Sequence, residues 1–235
     1  MSFTKEKREK IRRYILEKID TNCPDVSRKT ADTFHISLTT VYRYVKEMEE
    51  KNIIKKHEDS YILVEDLHTY TFYRSKNEIR DEDLIYSKYV EKEIADLPEN
   101  VQRIWCYAFT EMMNNAIDHS EAEQVNVSVF RNYLYTTILL NDNGIGIFKK
   151  IKEYYNYKSL DDAVTELFKG KLTTDSKNHS GEGIFFTSRA LDKFAAVSDG
   201  KIFSHDNYIE SVRNLKDSKA LKSWEKRKGT VIFMG

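Results

Sequence analysis

Glycine is scarce in this chain. There are 8 in 235 residues, about half the usual share, and none precedes Gly144. So sparing a chain keeps glycine for places where backbone turns sharply or comes close to another group. Five of the eight fall in three short motifs: Asn141-Asp142-Asn143-Gly144-Ile145-Gly146-Ile147, Ser180-Gly181-Glu182-Gly183-Ile184 and Gly229-Thr230. The stretches 141–147 and 180–184 are therefore where function is expected.

Other absences narrow the class. The two cysteines, Cys23 and Cys106, lack metal-ligand spacing and read as free thiols in a reducing, cytoplasmic compartment. No apolar run approaches the ~18–20 residues that cross a bilayer. Met1 to Arg13 reads as a charged helix and not as a signal peptide, so no membrane partner is expected. Net charge is zero, with 38 Lys+Arg against 38 Asp+Glu. That balance neither favours nor excludes nucleic acid, because charge can still be segregated by region. The length suits one large domain or two smaller ones.

What is present begins with helices. Residues 4–20 carry Ile11, Tyr14, Ile15 and Ile19 at helical spacing. Pro24 and Asp25 restart the chain, and a short helix follows from Ser27 to Phe34. Ser37 suits an N-cap for a third helix running to about Glu50, with Val41, Val45 and Met48 as its buried stripe. Ile53-Ile54 and Tyr61-Ile62-Leu63-Val64 read as strands around a polar turn. Three helices and a hairpin, with Ile36-Ser37-Leu38-Thr39-Thr40-Val41-Tyr42-Arg43-Tyr44-Val45 at the turn, resemble a bacterial winged helix-turn-helix. His35 and Asn52 stand where such domains often have glycine, and both types tolerate left-handed backbone. The resemblance implies DNA binding, with Thr39, Thr40, Tyr42, Arg43 and Lys46 facing a groove. Residues 1–60 hold 14 Lys/Arg against 11 Asp/Glu, an excess of only three positive charges. Glu47, Glu49 and Glu50 would meet a phosphate backbone badly.

Residues 67–74 alternate as a strand, and Arg80 to Leu97 reads as an amphipathic helix with Leu84, Ile85, Tyr89 and Ile94 as apolar points. Pro98 opens the next helix, 99–119. At 100° per residue, Glu111, Asn115 and Asp118 fall within about 60° of one another, with His119 just beyond. Trp105, Phe109, Met112, Met113, Ala116 and Ile117 spread over the other side. Strands at 125–130 and 133–140 lead into the first glycine motif. A polar linker and a lid-like stretch come next, then a helix opened by the second glycine motif and a final strand at 229–233.

Taken together, 97–235 resembles the gyrase, heat-shock-chaperone, histidine-kinase and mismatch-repair (GHKL) ATPase superfamily. Glu111-Met-Met-Asn-Asn115-Ala-Ile-Asp-His119 is similar to its N box, and Asp142-Asn-Gly144-Ile-Gly146 and Ser180-Gly181-Glu182-Gly183-Ile184 to its two glycine boxes. Gly229-Thr230 is similar to its last short element. The implied fold is α+β: a winged helix-turn-helix over 1–66, a connecting strand and helix over 67–96, and a two-layer ATP-binding sandwich of the Bergerat type over 97–235. The compact size resembles histidine kinases and anti-sigma-factor serine kinases most. The implied ligand is ATP with Mg²⁺. Asp142 would accept a hydrogen bond from the adenine amine. Asn115 would hold Mg²⁺ through its carboxamide oxygen, and Glu111 would orient or deprotonate the attacking group. Asp118, His119, Gly144, Gly146, Ile147, Ser180, Gly181, Glu182, Gly183, Ile184 and Thr230 complete the implied nucleotide contacts. Lys171, Thr173 and Thr174 belong to the implied lid, as do Lys169, Lys177 and His179.

None of the six histidines sits in the context of a phosphoacceptor on a dimerising helix. The resemblance therefore points to phosphoryl transfer to a separate protein, STAS-like in the anti-sigma branch, or to slow hydrolysis. The alternative is an ATP-switched, DNA-binding transcription regulator. Many relatives pair, which makes a homodimer the expectation.

Overall fold

The computed structural model describes residues 3–169, 183–204 and 228–235. The fold is α+β, with a six-stranded antiparallel sheet and a separate two-stranded hairpin. Two compact units divide the chain: Met1–Leu67 with Phe130–Thr136, and His68–Val129 with Thr137–Gly235. No helix among the described residues is long and apolar enough to cross a membrane.

In the first unit, α1 (Lys5–Asp20), α2 (Val26–Phe34) and α3 (Leu38–Glu50) precede β1 (Ile54–His57) and β2 (Ser60–Leu63). Thr4 caps α1 by accepting from Lys7 N at 3.2 Å. Ser37 does the same for α3 through Thr40 N, also at 3.2 Å. Both are short-chain hydroxyls meeting amides that a first helical turn leaves unpaired. Ile11, Ile15, Leu16, Val41, Tyr44, Val45, Met48 and Ile54 form one buried cluster. Tyr44 joins that stripe, although the apolar spacing of Val41, Val45 and Met48 alone did not include it. His35 and Asn52 do adopt left-handed backbone, at φ +52° and +55°. Leu134 packs against the same cluster, and the Tyr133 hydroxyl donates to Glu9 at 2.9 Å.

The second unit is built on β3 (Asp66–Tyr73), β4 (Gln124–Arg131), β5 (Thr136–Asp142), β6 (Phe194–Ser198), β7 (Lys201–Ser204) and β8 (Thr230–Met234). Their order across the sheet is β3-β4-β5-β8-β6-β7. Between β3 and β4 run a 3₁₀ turn, α4 (Glu82–Ile85), a π-helical turn (Tyr86–Val90), α5 (Glu91–Ile94) and α6 (Glu99–His119). The amphipathic helix expected over 80–97 is thus divided by the π turn, and Leu84 is exposed. Helix α6 carries Trp105, Ala108, Phe109, Met112, Met113 and Ala116 into the core. Fully burying one such large side chain is worth about 1.5–3 kcal/mol, so α6 is held by its apolar side.

Two expectations are corrected. The turn between β4 and β5 spans Asn132–Tyr135 and not Arg131-Asn132, because the Asn132 side chain accepts from Leu134 N and Tyr135 N at 2.8 and 3.1 Å. Such an Asx turn replaces ladder pairing locally. The segment read as a polar linker folds as α7 (Ile147–Tyr154) and α8 (Leu160–Lys169). Phe148, Ile151, Ala163 and Leu167 bury one side of each. The remaining helix, α9 (Gly183–Ala190), follows in sequence.

Candidate functional site

Strand alternation decides where the polar residues point. Along β5, Thr136, Ile138, Leu140 and Asp142 are buried on one face, since successive side chains alternate across a sheet. Ile138 and Leu140 belong to the main core beneath α6. Asp142 ends their row, only 4 % exposed. Along β8, Thr230 shares its face with Ile232 and Met234, and along β6, Ser198 shares its face with Phe194 and Ala196. The registers then align these ends. Thr230 faces Ser198 directly, and Asp142 follows the Asn141–Val231 pair by one step, which brings it opposite Thr230. A polar row, Asp142-Thr230-Ser198, crosses three neighbouring strands at one end of the core face.

Asp142 Oδ1 accepts from Gly144 N at 2.8 Å. Burial pushes its carboxyl above the usual range, opposed by hydrogen bonds from the Gly144 amide and from the amide and hydroxyl of Thr230. The Thr230 hydroxyl in turn accepts from Ile147 N at 3.0 Å. A carboxyl acceptor is therefore kept in a place where its charged form is disfavoured, which is a frequent mark of a working group.

Backbone crowds around this row. A methyl at Gly144 would lie 2.0 Å from the Ser120 carbonyl oxygen. Gly229, at φ +91°, leaves no room either: its methyl would lie 2.0 Å from Asp142 O. Ser120 is the C-cap of α6, and Ile145 N donates to its carbonyl at 2.9 Å. The first glycine motif is therefore laid against the end of the helix that carries Glu111, Asn115, Asp118 and His119. Gly144→Ala is expected to force that backbone contact apart, lowering stability by about 2–4 kcal/mol. Equilibrium denaturation would measure the loss, and a change within about 0.5 kcal/mol would contradict the contact.

On α6, Glu111, Asn115 and His119 are half-buried and Asp118 is exposed. Glu111 Oε2 stands 2.1 Å from the position of a methyl on Gly183. The carboxylate thus lies against the first residue of α9, whose leading amides form an anion-favouring helix end. Ile147 and Ile184 are half-buried and pack on the core. Lys171, Thr173, Thr174, Ser180, Gly181 and Glu182 lie outside the described residues, as do Lys177 and His179; the side chain of Lys169 does too.

Several supporting residues were not singled out by sequence. Arg74 donates to Ala122 O and Ile117 O at 2.7 and 3.0 Å. Lys150 Nζ donates to His119 O at 2.7 Å. Cations at a helix C-terminus satisfy its last carbonyls and suit its dipole, so both fix the end of α6. Asn143 turns to β4, accepting from Glu123 N and Gln124 N at 3.0 Å each. Ser198 and Asp199 were also missed, although Asp199-Gly200 is a hairpin signal in plain sight.

In the first unit, Thr39, Tyr42, Arg43 and Lys46 are exposed on α3. Thr40 is half-buried, its hydroxyl 2.9 Å from Ser37 Oγ, so it serves the cap. Arg43 and Lys46 lie 4.0 and 3.8 Å from Glu47 and Glu50 one turn on. The Lys46–Glu50 pair is exposed, and such pairs contribute little and exchange readily; Glu47 is half-buried and also accepts from Arg12 at 3.2 Å.

Among the described residues, no group of three or more His, Cys, Asp or Glu is placed to hold a metal ion. Both cysteines are free thiols. No family model, curated protein or solved structure matches the chain at a significant level.

Proposed function

We propose that the second unit binds Mg-ATP in a site of the GHKL type and uses it as an ATPase or as a kinase acting on a separate protein, and that the first unit is a winged helix-turn-helix coupled to it. The observation that carries this reading is the buried Asp142 at the head of the Asp142-Thr230-Ser198 row, with glycine backbone packed around it. A carboxylate held there by Gly144 and Thr230 has one acceptor edge suited to an exocyclic amine. Adenine offers that donor, whereas guanine offers a carbonyl oxygen and leaves both groups unpaired. The amides that open α9 suit the phosphates. Glu111, against Gly183, then stands beside the terminal phosphate, where a base would orient or deprotonate an incoming hydroxyl or water.

The donor set fits Mg²⁺ in a particular way. Among the described residues no acid cluster forms a protein-only cage, and Asn115, one turn after Glu111, offers a single half-buried carboxamide oxygen. That suits an ion that keeps its waters and is held mostly by phosphate. Once bound, it neutralises charge on the phosphates.

A second reading makes nucleotide a switch for DNA binding by the first unit. The exposed row Thr39, Tyr42, Arg43 and Lys46 on α3 favours it, and the neighbouring Glu47 and Glu50 oppose it. Here turnover would be incidental.

Titration of the purified chain with Mg-ATP and Mg-GTP tests the nucleotide site. ATP is expected to bind at least about tenfold more tightly, the discrimination a mispaired buried polar group imposes. Absence of ATP binding at millimolar concentration, or equal affinity for GTP, would remove the proposal.

A further inference from the structure

The turn joining β6 to β7 is tied to both segments that surround Asp142. Asp199 and Gly200 take φ +51° and +71°, the two-residue turn whose twist suits an antiparallel pair. Ser198 pairs with Lys201 across it and with Thr230 on its other side, so the turn has a fixed place beside β8. Its two side chains meet different glycine-bearing segments. Ser198 Oγ lies 2.8 Å from Gly229 O and 2.9 Å from Asp199 Oδ2. Asp199 Oδ2 accepts from Lys149 N at 3.3 Å and lies 2.5 Å from where a methyl on Gly146 would stand.

Helical ends explain why a carboxylate is there. The first amides of α7 have no partner within the helix, and its dipole favours negative charge at that end. An N-cap side chain ordinarily supplies the acceptor. In α7 the N-cap is Gly146, which has none. Asp199 supplies it instead, from a turn distant in sequence, and the bare Gly146 leaves the space it occupies. The start of α7 is thereby tied twice: to β6 through Asp199 and to β8 through Ile147 N and the Thr230 hydroxyl. That hydroxyl also holds Asp142.

We infer that Ser198 and Asp199 are positioning residues, which hold the start of α7 and Gly229 against the end of β6 and so fix Thr230 and Asp142 as one rigid seat. The effect on affinity rests on the nucleotide reading; the clamp does not.

Three full-length variants test this: Asp199→Ala, Asp199→Asn and Ser198→Ala. Amide hydrogen exchange over residues 143–150 is read without ligand, and Mg-ATP affinity is read well below the melting temperature of every variant. Asp199→Ala is expected to speed exchange at 147–149 about tenfold and to weaken Mg-ATP about tenfold, the scale of a lost carboxylate at a partly buried helix end. Ser198→Ala should shift both in the same direction by less. Asp199→Asn retains an oxygen acceptor and is expected to restore both readouts to within about threefold of wild type. Unchanged local exchange in Asp199→Ala overturns the clamp. Faster exchange spread over α6 as well, with affinity unchanged, overturns the positioning role and leaves only a contribution to stability. If the wild type binds no nucleotide, the functional proposal fails, and the exchange comparison still decides whether the clamp exists.

Discussion

Asp142→Asn is expected to weaken Mg-ATP binding by at least about 100-fold, or about 2.7 kcal/mol, by titration calorimetry or competition with a fluorescent analogue. The substitution keeps the shape of the side chain and one oxygen. It replaces the second acceptor with an amide donor, which must face either Thr230 or the adenine amine. Thr230 already presents its own donors to this side chain, so one donor meets another whichever way the amide turns. A buried mispairing of this kind costs about 1–3 kcal/mol, with more for a group that was charged. Retained affinity would show that Asp142 does not contact the base.

The same variant separates binding from stability through pH. Burial raises the carboxyl of Asp142 in the folded chain above its unfolded value, near 3.9 for an aspartate. Between the two values the native state keeps a proton that the unfolded state has released. Stability from this group is therefore fully present below the unfolded pKa and is lost as pH rises through the folded one. Asp142→Asn cannot titrate and lacks that slope. Subtracting the unfolding free energy of the variant from that of wild type should give a difference that declines with pH across this window and then levels. A flat difference would mean that the native fold does not disfavour the charged carboxyl.

How much of this was legible beforehand depended on what each residue does. The glycine motifs could be read because their positions forbid a side chain: Gly144 is closed off by Ser120 O and Gly229 by Asp142 O. The face of α6 could be read because helical period alone separates Glu111 and Asn115 from Phe109 and Met112. Helices α7 and α8 are hard to read from sequence because, among the described side chains, charged residues outnumber the buried Phe148, Ile151, Ala163 and Leu167. The row across β5, β8 and β6 was illegible for another reason. Asp142, Ser198 and Thr230 meet only through strand order and register, which local sequence does not encode. Arg74 and Lys150 are similar cases, since each finds the end of α6 from a distant segment.

Glu111→Gln is expected to reduce phosphate release or phosphoryl transfer by about 10²–10⁴-fold, the usual contribution of general acid–base catalysis, with Mg-ATP affinity within about threefold of wild type. Glu111 lies against Gly183, the first residue of α9, so on the nucleotide reading its charge bears on the phosphate end and not on base recognition. Glutamine keeps the length and the contact but cannot take a proton. A loss confined to kcat therefore assigns Glu111 to the chemical step, and a rise in KM with kcat unchanged would assign it to binding. The variant also divides the two functional readings. If turnover is the output, Glu111→Gln abolishes the response of a partner protein. If nucleotide acts as a switch, the variant still binds ATP, stays longer in the bound state, and changes DNA affinity by at least as much as wild type does. Measuring turnover and DNA binding on one preparation, with and without Mg-ATP, assigns the role of Glu111 and the output of the site together.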